Sequence, residues 1–188
     1  MITAIVLAAG AGTRFGATKQ LVEVRGKPLA QHAIDAATEA GVEEIVVVLG
    51  HDAERVRSRL RLGSATAVMN PDHGTGMASS IAAGLAAADP ASHGAVVLLA
   101  DQPGITATHI RALVQAFAAR RSPVVRLSFR NGPGPALVAR ELWPEISAIG
   151  GDVGARDLID RRPDLVEVVD VEDDAPVDVD VPGDLERA

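Results

Sequence analysis

Short apolar runs rich in β-branched residues alternate along the chain with Ala-rich stretches, the pattern expected of βαβ units around a mostly parallel sheet. Ile2 to Leu7 is nearly all apolar, which suits a strand buried on both faces. Further strands are expected at Ile45 to Leu49, Ala65 to Met69, Ala95 to Ala100, Val124 to Phe129 and Ala136 to Ala139. Val166 to Val171 and Val177 to Val181 read as two late strands. Ala95 to Ala100 is the most hydrophobic of the set and is expected at the centre of the sheet.

Between these runs lie the helices. One opens at Pro28, where a first turn tolerates proline, and stops at Gly41. Others are expected over AERVRSRLR, over the small residues after Gly76, and over Thr106 to Arg121 with Thr106 as N-cap. Glu141 to Ile149, Ala155 to Arg162 and a short terminal helix opened by Pro182-Gly183 complete the series. The pattern predicts one α/β domain over residues 1–188, a three-layer α/β/α sandwich around a Rossmann-like twisted sheet.

Composition narrows the function classes. At 188 residues and 47% hydrophobic content the chain is long enough to bury roughly two-thirds of its unfolded surface. Lys and Arg number 18 against 25 Asp and Glu, a net charge of −7 that argues against broad contact with nucleic acid or anionic membrane. Any phosphate chemistry must therefore be local. Without cysteine there is no disulfide framework, thiolate nucleophile or Cys-ligated metal. The start, MITAIVLAAG, lacks a basic segment and is too short to span a bilayer, so the expectation is a cytoplasmic protein without a membrane partner.

The candidate chemistry begins directly after the first strand. Leu7 to Leu21, LAAGAGTRFGATKQL, sets Gly10, Gly12 and Gly16 around Arg14, with Lys19 just beyond. Glycines let several backbone N–H groups turn toward one anion, and the two cations add fixed positive charge. A dinucleotide fingerprint would start its helix at the last glycine and place an acid about 20 residues on. Here the helix waits for Pro28 and the residue at that distance is near Ala36. No Gly-Lys-Ser/Thr follows at Walker spacing. The remaining reading is a triphosphate loop whose cations neutralise charge during reaction.

Asp101 ends the expected central strand, at the rim where parallel sheets bind ligands. It is a candidate Mg²⁺ ligand, since Mg²⁺ takes one or two carboxylates and completes its shell with phosphate and water. Alternation along VDVDV would put Asp178 and Asp180 on one face, either of them able to meet Asp101. None of the five histidines stands at metal-ligand spacing with another. His73, beside the GTGM loop, is the one to test.

LAAGAGTRFGATKQL, GMASSIAAGL, LLADQPG, GGDVGARDLI and DVDVPGDL, in this order, resemble the MobA-like NTP transferases that build the dinucleotide form of the molybdenum cofactor. The branch most similar is the molybdenum cofactor cytidylyltransferases, within the broader nucleotide-diphospho-sugar transferase fold. The resemblance implies that Leu7, Ala8, Ala9, Gly10 and Gly12 bind nucleotide, with Arg14 and Lys19 on the triphosphate. It implies Asp101 as the Mg²⁺ ligand and Asp180 as a second, with Val181 standing where Thr is usual. Gly76, Met77 and Ser80 match a segment near the nucleotide, and Asp152 and Arg156 are retained beside the acceptor. A guanidinium fork at Arg156 suits an acceptor phosphate.

The same resemblance implies CTP and a phosphorylated pterin as partners, a molybdoenzyme or its maturation chaperone as recipient, and Mg²⁺ as cofactor. Ala9, where relatives using GTP carry Gly, adds a methyl that narrows the space for a purine and points to CTP. The usual His of a GHPVL segment is replaced by Gly134, which bears on the acceptor. The reaction implied is in-line transfer of CMP with release of pyrophosphate, catalysed by positioning and charge neutralisation. Rival readings are guanylyl or sugar-phosphate transfer, a non-catalytic carrier of nucleotide or cofactor, and a nicotinamide oxidoreductase.

Overall fold

A computed structural model of the chain describes residues 1–12, 15–120, 122–151 and 159–188. Strand β1 (Ile2–Ala8) is buried along its whole length. A two-residue hairpin, β2 (Glu23–Val24) and β3 (Lys27–Pro28), precedes helix α1 (Leu29–Ala40). Then follow β4 (Glu44–Leu49), α2 (Ala53–Arg59), β5 (Thr66–Met69), α3 (Met77–Ala87) and β6 (Gly94–Leu99). The second half contributes α4 (Ala107–Arg120), β7 (Val124–Phe129), β8 (Gly132–Ala139), α5 (Trp143–Ser147) and β9 (Val166–Asp170).

Among the described residues, seven strands form one sheet in the order β5-β4-β1-β6-β8-β7-β9. In this sheet β8 runs antiparallel to both neighbours and the other pairings are parallel, so the expected mostly parallel α/β architecture is what the chain adopts. Side chains alternate across β1. Ala4, Val6 and Ala8 face a layer with Ala33 and Ile34 of α1, Val56 of α2 and Ile110 of α4. Ile5 and Leu7 face the other layer, with Ile81 and Leu85 of α3 and Ile146 of α5. The central strand is thus apolar on both faces because both faces are covered. Among the described residues, no helix is long and apolar enough to cross a membrane.

Two expectations change. The β2–β3 hairpin occupies residues read as loop, turning through Arg25 (φ 49°) and Gly26 (φ 80°), a two-residue turn of the primed kind. Helix α1 therefore starts at Leu29, with Pro28 closing the hairpin. Val177 to Val181 is not a strand: alternation satisfies a pleat only where a partner ladder exists, and the sheet ends at β9. The segment runs as an extended strap whose one inward residue, Val179, is fully buried against Val24 and Leu29.

Candidate functional site

The parallel register levels the carboxyl ends of β1 and β6, with Leu7 opposite Leu99, and the chain departs from both at one rim. Leading off β1, Ala9 to Gly12 forms one wall of a cleft of about 810 Å³. Leading off β6 comes Asp101. The strap passes the same point, where the Val179 N–H donates to the Asp101 carbonyl at 3.0 Å. The opposite wall is the turn from His73 to Gly76 and the start of α3.

At the centre stands Lys19, whose side chain is only 13% exposed. Its Nζ donates to Asp101 Oδ2 at 2.9 Å and to Asp180 Oδ1 at 2.8 Å. Burial opposes the ammonium charge, yet the hydrogen bonds and charges of Asp180 and Asp101 outweigh it and hold the Lys19 pKa above the usual lysine value. Asp178 lies beside them and accepts from Gln102 Nε2 at 2.7 Å. Burial pushes its carboxyl above the usual range, reinforced by the charges of Asp101 and Asp180 and opposed by Gln102 and Lys19. Asp101 Oδ1 is buried and has no hydrogen-bond partner.

Gly12 needs its glycine. It has φ 58°, and a Cβ there would stand 2.9 Å from both the Ala17 carbonyl and Lys19 Cβ, so any side chain would displace the lysine. Of the residues singled out from sequence, Leu7, Ala9, Gly10, Gly12, Lys19, Asp101 and Asp180 all line the cleft. So do Gly76, Met77 and Ser80, and also His73 and Asp178. Ala8 does not: its side chain points into the opposite layer, as alternation in β1 requires. Arg14, Asp152 and Arg156 lie outside the described residues.

Three positioning residues escaped the sequence reading. Gln20 is buried, and its Nε2 donates to the carbonyls of Ala8 (3.1 Å) and Gly10 (2.5 Å), which ties the glycine loop down. Asn70 is buried too, its Nδ2 donating to Ser79 Oγ (2.9 Å) and Ser80 Oγ (3.0 Å) while Oδ1 accepts from the Asp72 N–H (2.9 Å). It thereby fixes the wall that carries His73 to Ser80. Asp184, in the strap, accepts the N–H groups of Asp180 and Val181. The only sequence signal is at Asn70, an amide between the apolar Met69 and Pro71; Gln20, after Lys19, has none. At Gly134, a Cβ would meet Phe129 Cε2 at 2.5 Å and Leu127 Cβ at 2.8 Å, so the histidine expected there from the resemblance has no room.

Residues 4–166 match the MobA-like NTP transferase domain. The chain is 35% identical over 182 residues to nicotine blue oxidoreductase of Paenarthrobacter nicotinovorans, covering 93% of this chain and 89% of that protein. The crystal structure of the Rv0371c homologue from Mycobacterium sp. strain JC1 superposes with a TM-score of 0.89 at 31% identity, covering 99% of this chain and 93% of that one. Rv0371c of Mycobacterium tuberculosis, in complex with manganese, gives 0.87 at 28% identity over 99% and 96% of the two chains.

Proposed function

The chain belongs to the MobA-like NTP transferase family of nucleotidyltransferases, and from this premise we propose that it transfers CMP from CTP to the phosphate of molybdopterin, releasing pyrophosphate. The observation that carries the reading is the Lys19 ammonium set between Asp101 and Asp180 at the mouth of the glycine loop. A glycine loop alone binds many anions. A cation and carboxylates at the same rim suit a triphosphate that arrives with its own counterion.

The donors fit a divalent cation such as Mg²⁺. Asp101 offers a buried oxygen without a partner, and the neighbouring donors Asp180 and Asp178 are also carboxylates. Among the described residues no group of three or more His, Cys, Asp or Glu is placed to hold a metal ion by itself. Asp101 would hold it, with Asp180 as second ligand. When bound, the ion neutralises charge on the triphosphate. Manganese in the related Rv0371c structure supports a divalent requirement.

The chain's own groups supply position and charge. Backbone N–H groups of Gly10 and Gly12 face the phosphates, and Lys19, with Arg14 from the same loop, binds their oxygens. An anionic oxygen of the acceptor phosphate attacks the α-phosphorus as the bond from that phosphorus to the bridging oxygen breaks. The electron pair leaves with pyrophosphate, so no protein base is required. Ala9 on the cleft wall favours cytosine. Asp152 and Arg156 are the proposed acceptor contacts. A molybdoenzyme or its maturation chaperone would receive the product, in the cytoplasm.

A second reading has one observation in its favour, the 35% identity to nicotine blue oxidoreductase. It would place a nicotinamide dinucleotide in the same cleft. Against it, α1 begins at Leu29, well after the glycine loop, and Ala36 stands where a ribose-binding acid is expected. One experiment separates the two: pyrophosphate release with CTP, GTP, ATP and UTP, with and without molybdopterin, under Mg²⁺ or Mn²⁺, beside calorimetry with NADH and NADPH. Release that requires CTP and molybdopterin is expected. NADH or NADPH binding without release from any nucleotide would replace the proposal with the second reading.

A further inference from the structure

Asp180 belongs to a segment with no ladder to hold it, yet its carboxylate meets Lys19 at 2.8 Å. Its own exposure is 46%, so burial does not explain its placement. What fixes the backbone there is the side chain four residues on. Asp184 Oδ2 accepts the N–H groups of Asp180 and Val181, each at 2.9 Å. The Asp184 N–H returns a bond to the Val181 carbonyl at 2.9 Å, closing a compact turn over Pro182–Glu186. Its other oxygen accepts from Arg187 Nη2. Asp184 is itself 8% exposed, and the hydrogen bonds from Val181 and Asp180 keep its carboxyl below the usual range, so it stays an acceptor.

We propose that Asp184 is a positioning residue for the cleft: it locks the backbone of Asp180 and Val181 and thereby sets the Asp180 carboxylate against Lys19. The inference rests on reading Lys19, Asp101 and Asp180 as the reactive centre. On either side of Asp180, Val179 is anchored in the apolar pocket of Val24 and Leu29 and Asp184 grips the N–H groups, so the carboxylate is held at two points. Asp184 reaches no cleft surface and acts through Asp180 alone.

The test uses the chain's lysine content. Lys19 and Lys27 are its only lysines, so selective ¹⁵N-lysine labelling gives two side-chain ammonium signals. Lys27 pairs with Asp35 outside the cleft and serves as the internal reference. An ammonium held between two carboxylates exchanges its protons slowly enough to be seen at mildly acidic pH. In Asp184→Ala, as in Asp180→Asn, Lys19 keeps its bond to Asp101 alone, and its signal is expected to leave its wild-type position while that of Lys27 stays. Asp184→Asn keeps an oxygen for both N–H groups and is expected to retain the wild-type position.

In turnover, kcat of Asp184→Ala should fall by about tenfold to a hundredfold, as for a small misplacement of a reacting group, with KM for CTP little changed and Asp184→Asn rescuing most of the loss. A folded Asp184→Ala with an unaltered Lys19 signal overturns the proposal, and so does a wild-type protein showing no such signal. If Asp184→Ala fails to fold, Asp184→Ser, whose hydroxyl is too short to reach both groups, takes its place. Failure of both to fold, with Asp184→Asn like wild type, assigns Asp184 to folding alone and also overturns it. If the wild type releases no pyrophosphate from any nucleotide, the proposed reaction fails while the lysine signals still decide the role of Asp184.

Discussion

Replacing Lys19 by a neutral side chain of similar length leaves Asp101 and Asp180 as neighbouring carboxylates with no cation between them, and Asp178 close by. Lys19→Met should lower kcat by about 10²–10³-fold, the effect typical of losing one donor that stabilises developing charge. Steady-state pyrophosphate release measures it. Stability should respond with a definite sign. The folded pKa of Lys19 lies above its unfolded value of 10.5, so its contribution is fully present below that pH and fades as pH rises through the folded value. The Tm gap between wild type and Lys19→Met is expected to be constant from neutral to mildly alkaline pH and to close beyond it. Lys19 was legible in sequence because a cation among glycines has a chemical meaning by itself. Gln20, next to it, was not: its work is done on the carbonyls of Ala8 and Gly10, whose direction depends on the folded loop.

At the scale of the elements, periodicity foresaw the long runs and failed on short ones. β2 and β3 have two residues each, too few to show alternation, and only the Arg25-Gly26 turn between them carries a signal. That hairpin is tied to α1 by His32, whose Nε2–H donates to the Val24 carbonyl at 2.9 Å. Burial, aided by the charges of Lys27 and Arg25, lowers the His32 pKa against the opposing Val24 hydrogen bond and Asp35. A depressed folded value means stability is present above the unfolded value of 6.5 and is lost as pH falls through the folded one. The Tm of the wild type should therefore drop on mild acidification, and His32→Gln should flatten that part of the Tm-against-pH curve. Packing between α3 and the sheet gives a second expectation. A Cβ at Gly84 would lie 2.4 Å from Ile5 Cγ2 and 3.1 Å from Val48 Cγ2, both on fully buried, stiff β-branched residues. Gly84→Ala gains about 1 kcal/mol of helix propensity and loses about 1–3 kcal/mol to overpacking. Net destabilisation is expected in urea unfolding, against the usual sign of Gly→Ala in a helix.

For the whole molecule, the cleft exists only because the sheet gathers distant stretches of chain. Lys19 is 82 residues from Asp101 and 161 from Asp180, and its two hydrogen bonds span almost the full sequence. Acid at a strand end was readable as chemistry, and parallel pairing of β1 with β6 made its meeting with the glycine loop foreseeable. The strap was not readable in the same way. VDVDV has the period of a strand, but Val179 packs on Val24 and Leu29 and its acids line the cleft, with no ladder partner. The sheet itself is complete at Asp170. A chain ending at Pro176 should therefore keep its far-UV circular dichroism while losing turnover altogether, because Asp178 and Asp180 go with the strap. Its Tm should also fall, since burial of Val179 alone is worth about 1.5–3 kcal/mol and its loss uncovers Val24 and Leu29. If the truncated chain kept wild-type turnover, the strap carboxylates would have no part in the reaction, and Asp101 with the glycine loop would have to supply it alone.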